Sequence, residues 1–230
     1  LGGNLVMYRN TGAPSSAVFA FETELYDSVI AFPQGKAPKI NNPNHGFSAI
    51  TFADIDTDGD PDLFFGDIYN PNVYLFSNLG TTTLSDLTWA TQDYLTIPTA
   101  GFNHPSFADL DTDNDLDLVL GVAQVEDRFN LRMYTNVGTP QSAAFVAADS
   151  AIIHMLDFGS AAVPALEDLD GDGDLDLVVG AQNGTLNHFR NTGTIFAPTY
   201  ELIETRLGGV QAGIFTAPAL CDLDADGDLD

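Results

Sequence analysis

Four short segments in which every second residue is aspartate recur along the chain and constrain its fold more than any other feature. They begin at Asp54, Asp109, Asp168 and Asp222 and read DIDTDGDPD, DLDTDNDLD, DLDGDGDLD and DLDADGDLD. A second landmark, aromatic-x-Asn-x-Gly, keeps step with them in YRNTG, FSNLG, YTNVG and FRNTG. Two independent motifs in register indicate an array of similar structural units.

Each unit contains short apolar runs that predict β-strands. One run precedes the acidic segment, and another follows it and ends at Gly66, Gly121 or Gly180. Runs this short are typical of strands rather than helices. A third run ends in Asn-x-Gly, residue types that tolerate the positive φ of a tight turn. With a weaker fourth run, each unit of about 55 residues has the strand number of a β-propeller blade.

The run after each acidic segment is apolar at consecutive positions, as in Leu177-Val178-Val179. This pattern predicts a strand that is covered on both faces, here by the neighbouring blades. We therefore predict an all-β protein built from four-stranded antiparallel blades. The predicted units are residues 1–46 with the later strands of an incomplete blade, then blades at 47–100, 101–158 and 159–211, and the start of a further blade at 212–230.

The acidic segments have the composition of calcium-binding loops. Five aspartates in nine residues repel one another unless a multivalent cation lies between them. Calcium accepts six to eight oxygen ligands in a tolerant geometry, which suits this alternating spacing. Position 6 of each segment carries a residue type that adopts the left-handed conformation, Gly59, Asn114, Gly173 or Gly227. An EF-hand is excluded because its acidic residue at position 12 is replaced by Phe65, Leu120 and Val179.

We number the segments loop 1 to loop 4 and predict about four calcium ions, one in each loop. The expected ligands are the side-chain oxygens of positions 1, 3, 5 and 9, with position 9 a candidate for bidentate binding, and the backbone carbonyl of position 7. These residues are Asp54, Asp56, Asp58, Asp60 and Asp62 in loop 1; Asp109, Asp111, Asp113, Asp115 and Asp117 in loop 2; Asp168, Asp170, Asp172, Asp174 and Asp176 in loop 3; and Asp222, Asp224, Asp226, Asp228 and Asp230 in loop 4.

These motifs resemble the integrin-type propeller repeats of the FG-GAP and VCBS-like family. The resemblance implies blades with an Asp-x-Asp-x-Asp-Gly-x-x-Asp calcium loop between the first two strands, in which the ion has a structural role. Propellers of this kind commonly have seven blades. We expect this chain to be part of a larger propeller, with a small ring of four blades as the alternative.

The charge of the chain limits its partners. Acidic residues number 33 against 7 basic ones, and the net charge of −26 disfavours nucleic acid. No segment is apolar for long enough to predict a membrane span. Weak calcium sites fill at the millimolar calcium found outside cells, so we expect an extracellular or cell-surface protein, secreted and bacterial.

The leading functional hypothesis is a non-enzymatic scaffold that binds a protein or glycan ligand in adhesion. The alternatives are a module of a secreted polysaccharide-active enzyme and a structural subunit of a surface filament. We predict no zinc site at His45, His104, His154 or His188, which share no ligand spacing. Cys221 is expected to be a small strand residue.

Overall fold

The architecture was determined from a computed structural model. It describes residues 7–13, 18–23, 48–67, 71–81, 84–91, 93–95, 99, 101–122, 130–139, 141–148, 158–159, 161–222, 226–227 and 229. Within this part of the chain there are fourteen strands and one short 3₁₀ helix, Leu207–Gly209.

The strands form one two-stranded and three four-stranded antiparallel sheets, in which each strand pairs with its neighbour in sequence. The two-stranded sheet contains β1 Met7–Asn10 and β2 Phe19–Thr23. Sheet A contains β3 Ser48–Ala53, β4 Asp62–Asp67, β5 Val73–Asn78 and β6 Leu87–Thr91. Sheet B contains β7 His104–Ala108, β8 Asp117–Gly121, β9 Leu131–Asn136 and β10 Phe145–Ala147. Sheet C contains β11 Ala162–Glu167, β12 Asp176–Ala181, β13 Leu186–Asn191 and β14 Tyr200–Glu204. The predicted all-β fold of repeated, blade-like sheets is confirmed.

The second strand of each sheet is the most buried, as its sequence predicts. Every residue of β8 and β12 is buried. Leu118 and Leu120 pack into a cluster with Phe64 and Val73 of sheet A. Val119, which points the opposite way, packs with Leu177 of sheet C. One face of β8 therefore packs against sheet A and the other against sheet C. This explains why apolar and polar residues do not alternate along the strand.

A glycine at the last or next-to-last position of each second strand allows a neighbouring backbone segment to approach closely. A Cβ atom at Gly121 would lie 2.0 Å from the carbonyl oxygen of Ala162 at the start of sheet C. At Gly66 it would lie 1.7 Å from the carbonyl oxygen of Asn103, and at Gly180 it would lie 2.1 Å from that of Thr216. Backbone atoms cannot yield to such overlaps, so these positions require glycine.

The expected role of glycine in the Asn-x-Gly motif was wrong. Gly80, Gly138 and Gly193 do not have positive φ. A Cβ atom at these positions would instead come within 2.1 to 2.3 Å of a backbone carbonyl oxygen across the turn. The glycine is therefore needed because the two arms of the turn touch, and not because its backbone is left-handed.

Candidate metal site

Loops 1, 2 and 3 each join the first strand of a four-stranded sheet to the second and end with the position-9 aspartate as the first residue of that second strand. Position 6 has positive φ as predicted, about 96° at Gly59, Gly173 and Gly227 and 71° at Asn114. Position 4 is also left-handed, with φ of 58° at Thr57. This second left-handed residue was not predicted, because threonine rarely adopts that conformation.

The carboxylate of the position-1 aspartate accepts a hydrogen bond from the backbone across the loop. In loop 1 the backbone N–H of Gly59 donates to Asp54 Oδ2 at 3.0 Å. The same bond from position 6 to position 1 recurs in loops 2, 3 and 4 at 3.1, 3.0 and 3.0 Å. Four different sequences thus reach one geometry, which is set by the carboxylate and the left-handed turn.

Three carboxylates converge in each of the first three loops. Oxygens from each group lie within 4.8 Å of one another. The groups are Asp54, Asp56 and Asp58 in loop 1; Asp109, Asp111 and Asp117 in loop 2; and Asp168, Asp170 and Asp172 in loop 3. Positions 1, 3 and 5 meet in two loops and positions 1, 3 and 9 in the other, all of which are predicted side-chain ligand positions.

Two of the three described position-7 aspartates have buried side chains. Asp60 and Asp115 are each only 5% exposed, and their Oδ1 atoms are buried without a hydrogen-bond partner. Buried, unpartnered oxygens of the same kind occur in Asp109, Asp111, Asp174 and Asp176. An isolated buried carboxylate oxygen is costly unless a cation or a donor approaches it. A hard divalent cation such as calcium fits a donor set of carboxylate oxygens.

The position-9 aspartate connects each loop to the aromatic-x-Asn-x-Gly motif. Asp117 accepts the backbone N–H of Asn136 at 2.8 Å and that of Leu110 at 2.9 Å. In loops 1 and 3, Asp62 and Asp176 accept the backbone N–H of Asn78 and Asn191 at 2.7 and 2.8 Å. The acidic loop and the aromatic-x-Asn-x-Gly motif therefore recur together in the sequence because they are hydrogen-bonded to each other in the structure.

The asparagine of the motif organises the turn between the third and fourth strands. Asn136 Oδ1 accepts the backbone N–H groups of Gly138 at 3.1 Å and Ala144 at 2.8 Å. Asn78 and Asn191 make the same two bonds in their sheets. These asparagines were not among the predicted functional residues, although their recurrence 15 to 19 residues after each position-9 aspartate was the available signal.

We expect Asn136→Ala to destabilise the protein by about 2–4 kcal/mol, because it leaves two backbone donors without their acceptor. In a chain of this size that loss lowers the melting temperature by roughly 5–10 °C. Thermal unfolding followed by circular dichroism checks this. Val137→Ala in the same exposed turn is the matched control and should change the melting temperature little. Equal melting temperatures for the two variants would contradict the role of Asn136.

Burial also changes the acidity of the loops. It raises the pKa of Asp62 and of Asp117 to about 6, and backbone N–H donors oppose the rise in part. Burial, followed by the repulsion of neighbouring carboxylates, raises the pKa of Asp60, Asp115 and Asp174. The folded, metal-free protein therefore holds protons that the unfolded chain releases at lower pH.

The sign of this shift predicts an unusual pH dependence. Stability of the calcium-free protein should be highest near pH 4 and should fall as pH rises through about 6, because the folded carboxyls resist ionisation there. Saturating calcium should remove the decline, since the ion favours the ionised carboxylates. Melting temperatures at pH 4 to 7 with chelator and with calcium test this, and Asp117→Asn should flatten the metal-free slope. A metal-free melting temperature that rose with pH would contradict the account.

The histidines and the cysteine singled out in the sequence lie outside the acidic loops. Burial lowers the pKa of His104 to about 4, so this residue is neutral near pH 7. His188 Nε2 lies 3.6 Å from Asp176 Oδ2. Cys221 is exposed and outside any strand, which corrects its predicted place, because residues 217–222 pair with no strand in the part of the chain that is described. Residues 45 and 154 lie outside that part.

Loop 4 is described only in part. Asp222 accepts the backbone N–H of Asp226 at 3.2 Å, as Asp54 does from Asp58 in loop 1. The predicted ligands Asp224, Asp228 and Asp230 lie outside the described residues.

Comparison with known proteins agrees with this geometry. A family model described as an FG-GAP-like repeat matches residues 54–120 and 168–230, together more than half of the chain. No curated protein gives a significant match. Among the described residues there is no helix that is long and apolar enough to span a membrane. The matched segments begin at the first aspartates of loops 1 and 3 and run through the buried second strands, so the chain belongs to the FG-GAP-like repeat family.

Proposed function

We propose that this chain is a calcium-stabilised extracellular β-propeller scaffold that binds a protein or glycan ligand and has no catalytic role of its own. The observation that carries the proposal is the set of buried carboxylate oxygens without hydrogen-bond partners in loops 1, 2 and 3. In loop 2 two of these oxygens, on Asp109 and Asp111, belong to the converging group itself. In loops 1 and 3 they belong to positions 7 and 9, and the converging group is formed by positions 1, 3 and 5 of the same loop. One divalent cation in each loop would balance this concentration of carboxylates.

A cation in these loops would stabilise more than one hairpin. The position-9 aspartate connects the loop to the third strand of its own sheet, as described for Asp117 and Asn136. Loop 1 also contacts the next sheet, since Gln141 Nε2 donates to Thr57 Oγ1 at 2.7 Å. A bound ion would therefore hold strands within a sheet and support the contact between sheets, which is the part that disulfides play in many secreted domains.

The extracellular setting follows from the chemistry of such sites. Calcium loops of moderate affinity are filled at millimolar calcium and largely empty at cytosolic levels. The net charge of −26 adds to the need for cations, because an unneutralised acidic surface repels itself. Outside cells, calcium would occupy the sites permanently and act as a structural component.

The loop end of the sheets carries exposed apolar side chains that suit a ligand. The turn between the third and fourth strands lies at the same end of each sheet as the acidic loop, because the intervening strands are antiparallel. In these turns Leu79, Leu84 and Phe196 are 67%, 75% and 67% exposed. Val137 and Ile195 are exposed beside them. We assign the ligand-binding face to these exposed apolar side chains at the loop end of the sheets.

Binding to panels of polysaccharides and extracellular matrix proteins tests the proposal, with calcium and with chelator. We expect calcium-dependent binding of at least one ligand, which the double variant Leu84→Ser, Phe196→Ser weakens without lowering the melting temperature. Ligand binding that is unchanged both by chelator and by the double substitution would contradict the proposed binding face. Turnover of any polysaccharide by the purified chain would contradict the non-enzymatic assignment.

A further inference from the structure

The third strand of sheet C carries an arginine at a position where the other two four-stranded sheets have a hydroxyl residue. The strand registers place Phe76, Tyr134 and Phe189 at equivalent positions, opposite Leu63, Leu118 and Leu177. The next residue is Ser77 in sheet A and Thr135 in sheet B but Arg190 in sheet C. Nη2 of Arg190 lies 2.7 Å from Oδ2 of Asp170, at position 3 of loop 3.

This contact engages one of the carboxylates that converge in loop 3. Asp170 belongs to the group with Asp168 and Asp172. Its counterpart in loop 2, Asp111, instead has a buried oxygen without a partner. The loops therefore differ in whether a positive group of the protein already occupies position 3.

We infer that Arg190 is an internal competitor for the cation at loop 3, so that this loop binds calcium more weakly than loops 1 and 2. The inference rests on the proposed calcium function. Calcium binding must either displace the guanidinium from Asp170 or leave two positive groups on one carboxylate. Both outcomes lower affinity, the first through a lost charge-assisted hydrogen bond and the second through repulsion.

The fold offers the displaced arginine another acceptor. Glu201 lies directly opposite Arg190 in the ladder between β13 and β14, and directly opposite residues in an antiparallel pair share a face. Glu201 is exposed. The arginine can thus exchange Asp170 for Glu201 without being left unpaired. Loop 3 would then alternate between an arginine-bound state at low calcium and an ion-bound state at high calcium.

The test must report on each loop separately. Hydrogen exchange with mass spectrometry, read at increasing free calcium, gives a protection midpoint for peptides that cover residues 54–62, 109–117 and 168–176. In the unaltered protein we expect the loop 3 midpoint at about tenfold higher calcium than that of loop 2. In Arg190→Ser the loop 3 midpoint should lie within about twofold of the loop 2 midpoint, because the competing positive charge is removed.

Two further variants provide the controls. Thr135→Arg places the same competitor beside loop 2 and should raise only that midpoint. Arg9→Ser removes a positive charge at the equivalent motif position in the two-stranded sheet, where Arg9 pairs with Glu22 at 2.6 Å, and should leave loop 3 unchanged. Protection of loop 3 at an unaltered midpoint in Arg190→Ser would overturn the inference. Loops that show no calcium-dependent protection in any variant would instead overturn the proposed calcium function.

Discussion

Chelation of calcium is expected to lower the melting temperature of this protein by at least about 15 °C. Each occupied site stabilises the folded state by roughly 2.7 kcal/mol when free calcium is about a hundred times the dissociation constant. Three such sites give about 8 kcal/mol, and one kcal/mol corresponds to roughly 2–4 °C in a chain of this length. Calorimetry or circular dichroism with excess chelator, followed by restoration of calcium, measures the difference.

The control for this experiment is a variant in which loops 1, 2 and 3 each lose a carboxylate that is predicted to bind calcium. Asp54→Asn, Asp109→Asn and Asp168→Asn remove the position-1 carboxylate that accepts the position-6 N–H in each loop. The triple variant should lose most of the calcium-dependent difference in melting temperature, because only loop 4 keeps its position-1 carboxylate. Magnesium should restore less stability than calcium to the unaltered protein, because it demands a stricter octahedral geometry. Equal melting temperatures of the unaltered protein with and without calcium would contradict the account.

Gly121→Ala is expected to separate sheets B and C. The new methyl group would lie 2.0 Å from the carbonyl oxygen of Ala162 and 3.0 Å from Cδ of Pro164, and neither is the end of a flexible side chain. Sheet C must therefore move away from sheet B, which opens the interface where Val119 and Leu177 are buried. We expect a loss of about 3 kcal/mol or more, and a melting temperature lower by roughly 6–12 °C.

Gly213→Ala separates this packing effect from the general effect of replacing glycine. Gly213 has φ of 83°, and a methyl group added there would have no neighbouring atom within 4 Å. Alanine at this position therefore costs only its left-handed backbone, about 1–2 kcal/mol. Similar losses at the two positions would show that sheets B and C do not pack at Gly121 as described.

Much of this fold can be predicted from the sequence because its determinants are local. Consecutive apolar residues such as Leu177-Val178-Val179 identified the doubly covered strands. The residue type at position 6 identified the left-handed turn, even where Asn114 replaces glycine. Both signals depend on residues that are adjacent in the chain.

The features that the sequence did not predict depend on contacts between distant segments. Gly138 is required by its approach to the carbonyl oxygen of Ser142, which the motif alone cannot distinguish from a left-handed turn. The hydrogen bond between Asp117 and Asn136 joins residues 19 positions apart. The only sign of it in the sequence is that the two motifs recur together. The ion pair of Arg190 with Asp170 distinguishes loop 3 from its equivalents, although all the loops share the same aspartate spacing.

A crystal structure of the protein in millimolar calcium is the most direct test of the central claim that the acidic loops hold metal ions. We predict one ion in each of loops 1, 2 and 3, at about 2.3–2.6 Å from carboxylate oxygens of positions 1, 3 and 5, with the backbone carbonyl of position 7 and the carboxylate of position 9 completing the shell. Anomalous scattering identifies the ion as calcium. Well-ordered loops that contained only water at that calcium concentration would contradict the claim.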